Sequence, residues 1–399
     1  MGFRIDYFHH FQKNSCEVNI PVSFKEVKMV SRQRMLFEPI RIRSMELRNR
    51  FVRSATYDGF SEEGFVTEKQ MDLYKRLAQG GVGLIITGIT CVHRSGQISK
   101  FQNFIFEDAF IPKLRELTIA VHQRGAKIAI QLFHAGREAR FPKSSNQIPL
   151  GPSFVDQDPY FKGHYRSLTE NEIWEIVQAF GHAAIRAREA GFDAIQIHGA
   201  HGYLLSQFLS PYTNRRKDPW GGDLKNRLRI HREIYQEIRE RVGRDFPILI
   251  KIGVQDGIPG GLEFSEGILA AQYLAEWGFD ALEISHGLRG KGYESSEFRT
   301  GIHTRDQEAY FRHWSGQIKS LLKVPILLVG GLRTFELIEE IVKCGDADLI
   351  SLSRPLIREP DLILRWEKGY LQRAKCISCN RCLEGLMKGK TLECQQGEG

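Results

Sequence analysis

Ala194-Ile195-Gln196-Ile197-His198-Gly199-Ala200-His201-Gly202-Tyr203 is the stretch on which the fold turns. A short, mostly apolar run ends on a histidine, and a second histidine and a tyrosine follow within five positions. This reads as a buried strand whose C-terminal end opens onto polar side chains. The same grammar recurs along the chain. Apolar or β-branched runs at Phe51–Ala55, Leu84–Gly88, Ile128–Phe133, Ala194–His198, Ile248–Ile252, Ala281–Ser285, Ile326–Gly330 and Leu349–Leu352 predict eight strands. Between them lie amphipathic stretches such as Ile173–Ala190, Asn226–Val242 and Glu266–Trp277, each followed by a glycine (Gly191, Gly243, Gly278) able to cap a helix. Strand–helix alternation predicts an α/β protein with a parallel sheet. An open doubly wound sheet and a closed (β/α)8 TIM barrel both fit that order. Polar residues gathered at the C-terminal ends of many strands favour the barrel, which places its sites there.

A new phrase starts at Met35-Leu36-Phe37-Glu38-Pro39, so the expected organisation is an extension over 1–34, a single barrel domain over 35–373 and a cysteine-containing tail over 374–399. Two long connections, Arg137–Leu168 and Leu288–Trp314, read as candidate active-site lids. A surface excursion is the equal alternative for the second. The composition, 42% hydrophobic and 26% charged, is that of a globular protein with a sizeable core. Lys and Arg are interspersed with Asp and Glu, so the net charge of +8 argues for a mixed solvated surface rather than a nucleic-acid partner. No run approaches the roughly 20 apolar residues that span a bilayer, and no signal-peptide pattern opens the chain. Four of the seven cysteines crowd the C-terminus while Cys16, Cys91 and Cys344 are dispersed, unlike a secreted disulfide framework. The expected location is the cytoplasm.

The chemistry concentrates at strand ends. Two imidazoles, His198 and His201, are suited to hold one carbonyl oxygen, and the Tyr203 phenol to deliver a proton to the carbon beside that carbonyl. Lys251 sits inside an apolar strand, where an unpartnered ammonium would be costly. Gly330-Gly331 and Ser353-Arg354 end the last two strands. Barrels bind phosphate between these loops, through backbone N–H groups and an arginine. A bare Gly-Gly pair serves any tight turn equally well.

The phrase from His198 to Leu204, followed by Phe208-Leu209-Ser210-Pro211 and by Asn214, Arg216, Asp218, Gly221, Gly222, Asn226 and Arg227, resembles the old yellow enzyme family. The resemblance runs from about Leu36 to Arg373. It departs at Trp220, where relatives usually carry Tyr. It implies an FMN-dependent ene-reductase that passes hydride from NAD(P)H to an activated C=C bond of a small molecule, with Tyr203, His198 and His201 catalytic. Gln131, in a phrase similar to Q-L-x-H-A-G-R, stands where relatives hydrogen-bond the flavin pyrimidine, and an amide matches its alternating donors and acceptors. Ser54, Ala55 and Thr56 fall on the segment whose backbone supports the flavin. Gly88 replaces the more usual Ala, and Tyr57 a Thr or Cys. Lys251 takes the place of a cation that stabilises reduced flavin, and Gly330, Gly331, Ser353 and Arg354 are the implied phosphate residues. His134, Arg137 and the 214–227 stretch read as structural braces.

Cys376-x2-Cys379-x2-Cys382-x11-Cys394 admits zinc, a [4Fe–4S] cluster or an empty remnant. Larger relatives resembling dienoyl-CoA reductase carry a cluster on a similar phrase with a middle gap one residue longer. Two other functions therefore stay open: an iron–sulfur flavoprotein dehydrogenase or enoate reductase, and a catalytically silent flavin-binding redox sensor.

Overall fold

Each predicted strand carries inward-facing residues two positions apart, and this period lets eight short strands close around a common interior. The computed structural model describes residues 35–142, 144–292 and 295–396. The predicted extension over 1–34, Cys16 included, lies outside the described residues.

The strands are β1 (Phe51–Arg53), β2 (Leu84–Cys91), β3 (Lys127–Phe133), β4 (Ala194–Gly199), β5 (Ile248–Gly253), β6 (Ala281–Ser285), β7 (Ile326–Leu328) and β8 (Leu349–Leu352). All pair in parallel with their sequence neighbours, and β8 and β2 both pair with β1, which closes the ring. The barrel, not the open sheet, is therefore the fold. A register shift in β2 between Ile86 and Ile89 marks an irregularity at Thr87-Gly88. A Cβ at Gly88 would lie 2.9 Å from the Thr56 carbonyl oxygen, so glycine is what lets β2 approach the end of β1 here.

The helices on the outside are α1 (Glu68–Gln79), α2 (Ile111–His122), α3 (Glu170–Glu189), α4 (Arg229–Val242), α5 (Phe264–Trp277), α6 (Arg312–Leu321) and α7 (Phe335–Lys343). A capping box of Thr169 and Glu172 starts α3, and Gly278, left-handed at φ +107°, ends α5. The predicted helix over Asn226–Val242 is instead a single turn, Leu224–Arg227, followed by α4.

The sequence pattern gave no warning of an antiparallel hairpin, Ile40–Ile42 with Met45–Leu47. Its Ile42, Met45 and Leu47 pack against Val52, Leu84, Ile86, Ala129, Ala194, Leu249, Ala281, Leu327 and Leu349, inward residues near the N-terminal ends of all eight strands. Arg43 Nε donates to Asp280 Oδ1 at 2.5 Å and Ser44 Oγ to the Asp245 carbonyl at 2.6 Å, which seats the hairpin over that end. The strands are thus plugged with hydrocarbon below and free to carry polar groups above.

Candidate active site

Two residues further along the same faces, the apolar layer gives way to a buried polar one. Ser54, Gln131, Gln196, Lys251, Glu283 and Ser351 each follow an apolar-layer residue by two positions, and all are buried. All but Ser351 form one connected set. Gln131 Nε2 donates to Gln196 Oε1 at 2.8 Å, and Gln196 Nε2 to Glu283 Oε2 at 2.8 Å. The other oxygen of Glu283 accepts from Ser54 Oγ at 2.7 Å, and Lys251 Nζ lies 2.8 Å from Ser54 Oγ and 3.3 Å from Glu283 Oε2. The cost of burying the Lys251 charge is thus offset by a carboxylate on the neighbouring strand, with which it is in register. Sequence reading missed Glu283 and Gln196. The same argument that singled out Lys251, a charge inside an apolar strand, applied to Glu283.

Above this layer the chain leaves β4 through a turn in which His201 is left-handed at φ +62° and Gly202 at φ +76°. A non-glycine residue rarely adopts this conformation, and here it swings His201 toward β6. His201 Nε2 lies 2.7 Å from Ser285 Oγ, and its Nδ1 3.8 Å from Glu297 Oε1. The Ala200 N–H donates to His198 Nδ1 at 3.3 Å, which leaves Nε2 of that ring to carry the proton. Burial, reinforced by the charges of Lys251 and Arg289, holds both imidazoles well below their ordinary pKa, so both are neutral donors at pH 7. The His198 and His201 rings meet edge to face at 4.9 Å, and Tyr203 stands 5.1 Å from His198 and 4.6 Å from Phe133. Burial raises the Tyr203 pKa, which keeps the phenol protonated. Half-buried Tyr57, Ile98 and Phe141 pack with Tyr203 against Ile89, Phe133, Ala135 and Ala139, an apolar wall beside the polar residues. The structure thus brings the three residues His198, His201 and Tyr203 together over the Gln131–Lys251 layer.

The remaining candidates divide. Thr56 Oγ1 lies 2.9 Å from Ser353 Oγ, and Arg53 donates to the Ser353 carbonyl, so the end of β1 and the β8 loop are in contact. Ala55 packs on the apolar layer. Gly330 and Gly331, at φ +132° and +72°, present their Cβ positions to the Tyr310 ring at 3.0 and 2.9 Å, so an aromatic neighbour as well as backbone conformation requires glycine there. Arg354 is engaged by the protein itself. Its Nη1 donates to the Arg299 carbonyl at 2.8 Å and to Asn380 Oδ1 at 2.6 Å, and Nη2 to Tyr310 Oη at 3.4 Å.

Arg354 also lines a small cavity together with Cys376, Cys379, Cys382 and Cys394. The four thiols thus share one place in the fold. Among the described residues, however, no group of three or more His, Cys, Asp or Glu side chains is arranged to hold a metal ion. Arg358 Nη1 is 3.9 Å from Cys394 Sγ and Gln396 Nε2 is 3.5 Å from Cys379 Sγ.

The residues read as braces are paired within the protein. Arg137 pairs with Asp158 at 2.7 Å in a buried ion pair, and His134 is held down to about 3 by burial. Asn214 Nδ2 donates to the Phe208 and Trp220 carbonyls at 2.8 Å each, Arg216 pairs with Asp218, and Arg227 with Glu266. Two residues that the sequence did not single out reach the mouth from the loop after β6. They are Arg289, whose guanidinium carbon is 5.7 Å from the Tyr203 ring centre, and its ion-pair partner Glu297.

A flavin's needs can be tested on this layer. The Ser351 hydroxyl is buried without a hydrogen-bond partner in the layer that holds Ser54, Lys251 and the Gln131 amide. An unsatisfied hydroxyl, an amide and a cation facing one interior suit the polar edge of an isoalloxazine.

Residues 35–372 match the family described as NADH:flavin oxidoreductase / NADH oxidase. The chain is 36% identical over 354 residues to an NADH oxidase of Thermoanaerobacter brockii, covering 88% of this chain and 54% of the relative. It is 32% identical over 389 residues to a cinnamate reductase of Clostridium sporogenes, covering 92% and 58%. The chain thus spans little more than half the length of these two curated relatives. An old yellow enzyme homologue from Zymomonas mobilis superposes with a TM-score of 0.70 at 27% identity, over 85% of this chain and 94% of that one. The chain belongs to the NADH:flavin oxidoreductase / NADH oxidase family.

Proposed function

We propose that this member of the NADH:flavin oxidoreductase / NADH oxidase family is an FMN-dependent ene-reductase that takes hydride from NAD(P)H and adds it to an activated C=C bond of a small α,β-unsaturated carbonyl compound. The observation that carries the reading is the convergence of His198, His201 and Tyr203 above the buried Lys251 and Gln131. The old yellow enzyme homologue and the cinnamate reductase support it by their names.

Bound FMN would supply the hydride chemistry between the nicotinamide and the β-carbon of the alkene. The chain's own residues do the rest. Gln131 and Lys251 hold the flavin's polar edge, and Lys251 favours an extra electron pair there. Ser54, Ala55, Thr56 and Gly88 line its seat. The loops of Gly330-Gly331 and Ser353-Arg354 would take its phosphate. His198, through Nε2–H, and His201 donate to the carbonyl oxygen, with Ser285 Oγ donating to His201 Nε2 and so leaving the His201 proton on Nδ1. These donors stabilise negative charge as it develops on that oxygen. Tyr203 then gives its proton to the α-carbon. In this reading the single barrel over 35–373 holds both substrates in turn and works in the cytoplasm. Among the described residues no helix is long and apolar enough to cross a membrane.

No step of this scheme passes through the tail cysteines. Iron and sulfide analysis of anaerobically purified protein separates it from an iron–sulfur flavoprotein. The scheme itself is tested by NAD(P)H oxidation with cyclohex-2-enone under anaerobic conditions. Turnover with consumption of the enone is expected, whereas flavin that is reduced but never reoxidised by any enone, enoate or nitroalkene identifies a silent flavin-binding sensor.

A further inference from the structure

The loop after β6 carries an ion pair that borders both halves of the proposed chemistry. Arg289 Nε lies 2.9 and 3.0 Å from the two oxygens of Glu297, with Nη2 2.5 Å from Oε1. The Arg289 guanidinium packs 5.7 Å from the Tyr203 ring centre and 5.4 Å from that of Phe298. Glu297 Oε1 is at the same time 3.8 Å from His201 Nδ1. The pair is fixed from below and behind. The Leu288 N–H donates to Asp256 Oδ1 at 2.6 Å, Tyr310 Oη to the Glu297 carbonyl at 2.8 Å, and Asn380 Nδ2 to the Phe298 carbonyl at 2.6 Å. The Glu297 side chain is 5% exposed and that of Arg289 35%, so the carboxylate anchors while the guanidinium faces the mouth.

We propose that Arg289 is a positioning residue for Tyr203: clamped by Glu297, it holds the phenol in place and stabilises the phenolate left after proton transfer. This rests on the ene-reductase reading above. In the step concerned, the Tyr203 O–H bond breaks and a C–H bond forms at the α-carbon. The bonding pair comes from the enolate, whose oxygen returns to a carbonyl, and the negative charge moves to the phenol oxygen. Burial works against that charge. The titratable groups that face Tyr203 are His198, Tyr57, Glu138, Glu297 and Arg289. Arg289 is a cation at neutral pH that acts on Tyr203 through both its charge and a hydrogen bond. It therefore lowers the energy of the phenolate, while the two carboxylates raise it. A guanidinium also keeps its charge throughout the phenol's titration range.

The test compares Arg289→Met, Arg289→Lys and the charge-neutral double variant Arg289→Met/Glu297→Gln with wild type, all as full-length flavin-loaded protein. Two rates are measured anaerobically at about pH 7, well below the raised pKa of the buried phenol. One is reduction of the flavin by NADH, the other its reoxidation by cyclohex-2-enone. The expected result is that Arg289→Met slows reoxidation about tenfold. Reduction should stay within about twofold, and Arg289→Lys should recover most of the loss, because a cation remains. If Arg289→Met sheds flavin, the double variant, which leaves no orphaned carboxylate, is expected to give the same split. Equal slowing of both half-reactions, or failure of Lys to rescue, overturns the proposal in favour of a purely structural pair. A Tyr203→Phe control separates the two levels of the argument. If that variant keeps the wild-type enone rate, the acid assignment falls and Arg289 with it. If it is slow while the Arg289 variants keep the wild-type rate, only the Arg289 proposal falls.

Discussion

The two ends of the barrel are built on the same strands, often on the same face, two residues apart, and they are made of opposite materials. Val52, Ala129, Ala194, Leu249, Ala281 and Leu349 face one another and a plugging hairpin in a hydrocarbon layer. Ser54, Gln131, Gln196, Lys251, Glu283 and Ser351, the next residues on those faces, form the buried polar layer under the mouth. Hydrocarbon at the first end contributes stability in proportion to the area removed from water. Polar groups at the second end contribute little net stability, because what they gain in hydrogen bonds roughly offsets their desolvation. A fold retains such a layer for what binds there. Stability and chemistry are thereby separated along about 7 Å of strand, two residues of rise.

If that division holds, substitutions at the two ends must fail differently. Tyr203→Phe, above the polar layer, removes a positioned acid and is expected to slow enone-dependent reoxidation by ~10²–10⁴-fold while leaving flavin reduction and the unfolding midpoint near wild type. Stopped-flow traces of the two half-reactions check it. A nitroalkene should be spared, since the nitronate left after hydride transfer departs and is protonated in water.

Leu249→Ala, in the apolar layer and two residues before Lys251, is expected to cost about 2–5 kcal/mol of unfolding free energy by opening a cavity. The enone rate per folded, flavin-loaded molecule should not change. Chemical denaturation with activity measured alongside decides this, and a specific loss of rate without loss of stability would break the comparison.

Within the polar layer, Lys251→Met and Glu283→Gln are expected to act in opposite directions on the flavin midpoint potential. Removing the cation disfavours the reduced, anionic ring, so the potential falls. Removing the carboxylate that neutralises this cation favours it, so the potential rises. Each shift should be about 30 mV, the size of a tenfold change for a two-electron couple. Shifts of the same sign would show that the pair acts through packing and not through charge.

How much of this could be read beforehand follows from the same physics. The eight strands were legible because strands buried on both faces read as short apolar runs. Leu84–Gly88 extends to Cys91 in the structure and Ile326–Gly330 shortens to Leu328, shifts confined to strand ends. The hairpin at 40–47 was not legible. Three-residue strands joined through Arg43, left-handed at φ +50°, carry too little periodicity to register. His198, His201 and Tyr203 lie within six residues of one another, so their convergence is local and visible. The pairings of Lys251 with Glu283 and of Gln131 with Gln196 depend on barrel register, and that of Tyr203 with Arg289 on where a long loop folds back. Arg354 shows the limit from the other side. Its position in the β8 loop was legible, but its engagement by Asn380, which ties it to the tail, was not.

The central claim is that the polar end of this barrel seats FMN and hands its electrons to an alkene. The most direct measurement is anaerobic. Purified protein is denatured to identify the released flavin, and a second sample is reduced with one equivalent of NAD(P)H and then mixed with cyclohex-2-enone. The account predicts FMN, bleaching by NAD(P)H, and return of the oxidised spectrum with formation of cyclohexanone. Released FAD, or reduced flavin that regains its colour only when dioxygen is admitted, would contradict it.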